Sequence, residues 1–236
     1  MVINFKQPLL PFDFSEVGGA GIDKYEKSLP RKSKFSNMNL LYGLGFCGDS
    51  QMPRVKGYSG DISEEIVSFS MAKTSRNYNA AVHFYIFDYE FECLWNTPFR
   101  YLNLLSKYKF VIGPDYSQYL NCPHPVRIWN NYRNKVLMAW LQDMGVTVIP
   151  NVTWSDPYSY AYCFEGLPSN SIISINSMGA LRDPVCRNLW LRGYREALEV
   201  LHPIHIIRYG KPIPGENKEI STYFDNDNLK KLHNGR

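Results

Sequence analysis

The feature that most limits what this chain can become is a repeat beginning near residue 80. A short run rich in valine, isoleucine and aromatics is followed each time by a stretch whose apolar residues recur at helical spacing. The runs fall at 81–88, 109–114, 146–151, 171–176 and 204–209, so successive starts lie 25 to 37 residues apart. Hairpins need only a few connecting residues, whereas a parallel strand with its crossover helix consumes about 30. The spacing predicts an α/β domain whose mostly parallel sheet has at least five strands built from βα units. It leaves open a three-layer open sheet or an incomplete TIM-like barrel.

Helix starts carry the same message. A capping residue followed by proline at the first helical position recurs at Thr97-Pro98, Asp156-Pro157 and Asp183-Pro184, and His124-Pro125 opens a further helix. In that helix Trp129, Tyr132, Val136, Trp140 and Met144 keep three-to-four spacing until Gly145. The last helix is read over Pro184–Leu201, with Leu189, Tyr194, Ala197, Leu198 and Leu201 as its apolar set and Pro203 beyond its end. Residues 1–79 hold glycine clusters (VGGAG, GLGFCG), scattered prolines and a basic stretch at 31–34, so they are read as an irregular segment packed on the core. A short helix capped by Ser63 is read there over 63–71. The α/β core spans 80–212, and 213–236 is a polar tail with one short strand at 220–224.

With 236 residues, 44% of them hydrophobic, the chain can bury a core of ordinary size in one domain. Its net charge of +4 is too mild to mark a nucleic-acid or membrane binder. No apolar run approaches the roughly 20 residues of a membrane span, and the start MVINFKQPLLPFDF carries charge and prolines where a signal peptide needs an apolar stretch. A cytoplasmic protein without membrane partners is the expectation. Five cysteines with no C-x-x-C pair argue against a disulfide framework and a zinc knuckle.

Two motifs fail on context. Gly43-Leu44-Gly45-Phe46-Cys47-Gly48 spells G-x-G-x-x-G, with Asp61 downstream, but Pro53, Gly57 and Gly60 follow where a dinucleotide site needs a helix start. His205-Ile206-Ile207-Arg208 spells the H-x-x-R of tyrosine recombinases. In a strand, however, His205 and Ile207 share one face and Arg208 takes the other.

Ligands of parallel α/β folds bind beyond the carboxyl ends of the strands. Those ends carry Asp88 and Tyr89, Asp115 and Tyr116, Asn151 and Trp154, Asn176 and Ser177, and Lys211. Asp88 and Asp115 are the expected catalytic pair, because carboxylates on neighbouring strand ends can share a divalent cation or divide acid and base roles. Arg127 and Asn130 lie with Asn131 and Asn134 on one helix face, where an anion or a base edge could be bound.

The segments VHFYIFDYEFECLWNTPFRYL, VIGPDYSQY, RIWNNYRN, WLQDMGVTVIPNVTW, SYAYCFEGLP, SINSMG and IIRYGKP, in that order, resemble an uncharacterised domain-of-unknown-function family of bacteria, bacteriophages and mobile elements. The resemblance covers about residues 80–212. It implies a phage or mobile-element setting and no particular chemistry; Asp88, Asp115, Asn151, Trp154, Ser177 and Gly179 lie in its motifs. The resulting expectation is an enzyme with a polar pocket at the carboxyl edge of the sheet, metal-assisted, acting on a nucleotide or nucleic acid. Arg127 or Lys211 would supply charge to phosphate, and Trp154 or Tyr116 a stacking surface. The alternatives are a binding protein for DNA or for a host or phage protein, and a structural virion component.

Overall fold

The computed structural model describes residues 35–41, 43–180 and 183–224. The glycines at 17–21, the basic stretch at 31–34 and the tail from 225 onward lie outside them. The glycine motif at 43–48 leads into no helix: β1 (Phe46–Cys47) and β2 (Met52–Pro53) pair there as an antiparallel ribbon.

Among the described residues seven strands then run parallel: β3 (Ile66–Ser68), β4 (Ala81–His83), β5 (Phe110–Ile112), β6 (Val148–Ile149), β7 (Ile172–Asn176), β8 (His205–Tyr209) and β9 (Ser221–Phe224). Each pairs with the next in chain order. β6 joins β7 just past its own end, where Asn151 bridges Ser174 and the Ser174 amide donates to the Pro150 carbonyl at 2.8 Å. The strand at 66–68 occupies the place read from sequence as a helix. The helix that exists there, α1 (Phe69–Ala72), is one turn long, and its cap is Ser68. Ser63 instead donates to the Asn79 carbonyl at 2.7 Å. The sheet therefore begins before residue 80, with a strand too short to show alternation.

Strict chain order without a reversal distinguishes this sheet from a doubly wound one, and its curvature decides the architecture. Four strand spacings separate β4 from β8, about 19 Å across a flat sheet. Yet the rings of His83 and Tyr209, at the ends of those strands, have centroids 4.7 Å apart. The sheet is rolled into an incomplete barrel. Ala81, Phe110, Ile112, Ile149, Ile172, Ile207 and Tyr209 fill its interior. The alternate residues Val82, Val111, Val148, Ile173, Ile175 and Ile206 face outward into the layer covered by helices. Arg208 faces outward with Ile206, as the alternation required.

The covering helices are α2 (Asp88–Asn96), α3 (Pro98–Leu105), α4 (His124–Asp143), α5 (Tyr160–Cys163) and α6 (Pro184–Leu201). α6 keeps its predicted bounds because Asp183 Oδ1 accepts from the amides of Val185 and Cys186 at 2.6 and 3.0 Å. Its buried stripe is Trp190, Tyr194, Ala197 and Leu201, so Trp190 takes the place read for Leu189. α4 stops where predicted, with Gly145 at φ 82°. After Asp156 the chain makes only a 3-10 turn and the single turn of α5, and the Asp156 carboxylate, which makes no cap bond, pairs with Arg127 at 2.7 Å. The strand predicted at 81–88 is cut to three residues, and Asp88 becomes the first residue of α2. No helix among the described residues is long and apolar enough to cross a membrane. All five cysteines are free.

Candidate active site at the carboxyl rim

The chain leaves β5 through Gly113 and Pro114 and places Asp115 at the rim. Asn151, just past β6, donates its Nδ2 to Asp115 Oδ1 at 3.0 Å. Asn176, the last residue of β7, donates its Nδ2 to Asp115 Oδ2. Neither amide is free to turn over. The Tyr85 hydroxyl donates to Asn151 Oδ1 at 2.9 Å, and the Met178 amide donates to Asn176 Oδ1 at 2.7 Å. Each asparagine therefore has its oxygen occupied by a donor and must direct its nitrogen at the carboxylate. Tyr85 is held in turn, its hydroxyl 2.5 Å from Ser174 Oγ inside the barrel.

Burial pushes the Asp115 carboxyl up from its ordinary 3.8 to about 7, and the nearby Asp88 charge adds to the rise. The side chains of Asn151, Asn176 and Thr153 oppose it by bonding to the ionised form. Asp115 nevertheless keeps some surface, which faces a cavity of about 180 Å³. Thr153, Trp154, Asn176 and Trp190 line that cavity, together with Ser117, Gln118 and Tyr119 from the loop after β5. Trp190 is a rigid wall: its Nε1 donates to the Asn176 carbonyl at 2.9 Å, and its ring stacks on Tyr194 with centroids 5.2 Å apart. Trp154 packs against α6 at Gly193, where even a Cβ would collide with the indole.

Of the residues expected here, the fold gathers Asp115, Asn151, Asn176 and Trp154. Asp88 stands one layer away, its carboxylate accepting from the Ser117 hydroxyl at 2.8 Å and from the Ser117 amide at 3.2 Å. Both carboxylates are thus engaged by protein donors that a shared cation would have to displace, and among the described residues no cluster of three His, Cys, Asp or Glu side chains could hold a metal. This donor set does not fit a cation bridging Asp88 and Asp115.

The other expected residues are employed elsewhere. Tyr116 is fully buried beneath the Arg133 guanidinium, 3.6 Å from its ring centroid. Tyr89 is 77% exposed and stacks on Phe87, itself 62% exposed, with the rings 9° from parallel. Arg127 is bound to Asp156 and to Ser155 Oγ. Asn130 donates to the Ser117 carbonyl at 2.8 Å and accepts from Arg133. Ser177 is buried and donates to the Lys211 carbonyl at 3.0 Å; the Lys211 side chain is exposed and outside the cavity lining.

The polar stripe of α4 is therefore buried, and its work is to hold the rim. Asn134 accepts the Tyr116 amide at 2.8 Å, and Asn131 donates to Cys163 Sγ at 3.3 Å. Lys135, also on this helix, donates to Asn131 Oδ1 at 2.6 Å and to the Tyr162 carbonyl. Burial pulls its ammonium down to about 8, while Cys163 and Glu165 act in the opposite direction.

Sequence reasoning missed Thr153, Gln118, Tyr119 and Trp190. Thr153 and Gln118 follow strand ends by a few residues and were within reach of the same rule. Trp190 comes from a helix two turns past its cap, and only packing brings it to the rim.

Comparison with known proteins finds two phage relatives. A "Gene 1 protein" of Mycobacterium phage L5 is 34% identical over 152 residues, which is 61% of this chain and 66% of that protein. A "Gene 1 protein" of Mycobacterium phage D29 is 32% identical over 152 residues, 61% of this chain and 56% of that protein. The chain thus spans less than two thirds of these relatives. No solved structure matches it. Residues 47–227 match the family model described as "Domain of unknown function (DUF4417)", which is well over half of the sequence, and the chain belongs to that family.

Proposed function

We propose that this protein is an enzyme that moves a proton to or from a small molecule held in the rim cavity, with Asp115 as the general acid–base. The observation that carries the reading is a carboxyl raised to about 7 at the wall of a cavity on the carboxyl face of a rolled parallel sheet. A proton carrier works best when its ionisation lies near the operating pH, and such sheets place their reactive groups at that face. Asn151 and Asn176 are positioning residues: they fix the carboxylate so that its remaining lone pairs are available to a ligand. Asp88 tunes the ionisation from outside the cavity and steadies the 115–118 loop through Ser117.

The test has two arms. Carboxyl-carbon NMR should show Asp115 titrating near pH 7; a midpoint near 4 sinks the acid–base role. Incubating the protein with a small-molecule extract and comparing mass spectra with those of Asp115→Asn should reveal compounds consumed by the wild type alone. If both proteins leave the extract unchanged, the enzyme reading fails.

A second reading, binding of single-stranded nucleic acid across the same face, draws support from the exposed stacked pair Phe87 and Tyr89 and from exposed Tyr119 and Tyr158. Bases stack on such rings. It predicts DNA affinity that falls steeply with added salt and is lost in Phe87→Ala with Tyr89→Ala.

A further inference from the structure

The lining of the rim cavity restricts what can enter it. Trp154 and Trp190 contribute indole atoms to the lining, and Thr153, Asn176 and Asp115 supply polar atoms. Gln118 lines the cavity as well, but its amide oxygen is sealed inside the protein and its nitrogen donates to the Arg127 carbonyl at 3.0 Å.

Among the described residues the lining holds no positive charge: none is lysine, arginine or histidine. Three arginines of the surrounding layers are engaged elsewhere: Arg127 with Asp156, Arg133 with Glu92, and Arg208 with Glu216. A phosphate brought here would face the Asp115 carboxylate with no cation in the described lining to offset it. The volume, about 180 Å³, slightly exceeds the ~150 Å³ cavity that takes a benzene-sized ring.

We propose that the cavity takes an uncharged planar nitrogen heterocycle bearing N–H donors, a free nucleobase or its nucleoside, in preference to any phosphorylated form. The ring lies against the indole atoms of the lining, and one N–H meets Asp115. This deepens the acid–base reading and rests on it: the N–H that Asp115 accepts is the proton that moves.

Isothermal titration of the full chain with adenine, guanine, cytosine and uracil, their nucleosides and their 5′-monophosphates tests it. At least one base or nucleoside should bind and quench tryptophan fluorescence. Its monophosphate should bind at least tenfold more weakly, and Asp115→Asn should lose at least tenfold in affinity for the base. Should that variant not fold, Thr153→Val, which removes a lining hydroxyl, is expected to weaken the same ligand. A monophosphate that binds as tightly as its base, or a set of bases and nucleosides none of which binds, overturns the assignment. An Asp115 midpoint near pH 7 in the same sample would then keep the acid–base reading standing, whereas a midpoint near 4 would end both.

Discussion

Two acids in this protein, Glu216 and Asp115, are surrounded by other residues in opposite ways. Glu216 lies in the outer layer between β8 and α6, its side chain fully buried beside that of Arg208. It accepts from Arg208 at 2.7 and 3.1 Å, from the Ile213 amide at 2.9 Å and from the Tyr223 hydroxyl at 2.8 Å. The guanidinium also lies 4.8 Å from the Trp190 ring centroid. Every charge there has a partner, and the result is a staple that fastens the loop after β8 to the helix layer. Asp115 has only neutral donors and a cavity in front of it. Pairing makes a buried acid structural, whereas neutral donors alone leave its proton negotiable.

That contrast can be broken at its paired end first. Arg208→Ala leaves Glu216 buried without its cation and should cost about 3–5 kcal/mol in denaturant unfolding. Replacing both partners, Arg208→Met with Glu216→Leu, should recover most of it. A loss below about 1 kcal/mol in the single variant would show that the pair does no fastening.

The unpaired end makes a prediction about pH. Because Asp115 in the folded state holds its proton up to about 7, against 3.8 ordinarily, the folded chain binds more protons than the unfolded one between those values. The associated stability is fully present below about pH 4 and is lost as pH rises through 7. Over that window the wild type should fall relative to Asp115→Asn by up to about 4 kcal/mol. A constant difference across pH would contradict the raised ionisation.

Gly193 lies where α6 meets the cavity wall. Gly193→Ala forces the Trp154 indole off α6 and should cost about 1–3 kcal/mol, with a shift in tryptophan emission. Unchanged emission would mean that the wall is not seated there. The smallest effect is expected from Asp88→Asn, which removes a like charge and keeps an acceptor for Ser117. It should move the Asp115 midpoint downward with little change in stability. An unmoved midpoint would assign the whole shift to burial.

Much of this was legible without coordinates. The βα spacing announced parallel strands, and Asp183-Pro184 marked the start of α6 to the residue, because capping and helical period are local. Asp115, Asn151 and Asn176 were found by the strand-end rule, since a parallel sheet sends all its carboxyl ends to one side. β3 was missed because three residues cannot display a period. Asp88 was paired with Asp115 on the assumption of a longer strand, but the helix that starts at Asp88 moves its carboxylate to Ser117. The polar stripe on α4 was visible as a stripe; that it props the rim loops from beneath depends on what packs over it.

The amino-acid order alone determined the class of the fold, the direction of its strands and the side on which reactive groups collect, because period, caps and turns act over a few residues. Only the tertiary structure decided that the sheet rolls until His83 meets Tyr209, that Trp190 joins the residues around Asp115, and that Arg208 is neutralised while Asp115 is not. Those outcomes depend on groups far apart in the chain whose energies of burial and pairing are set by their surroundings.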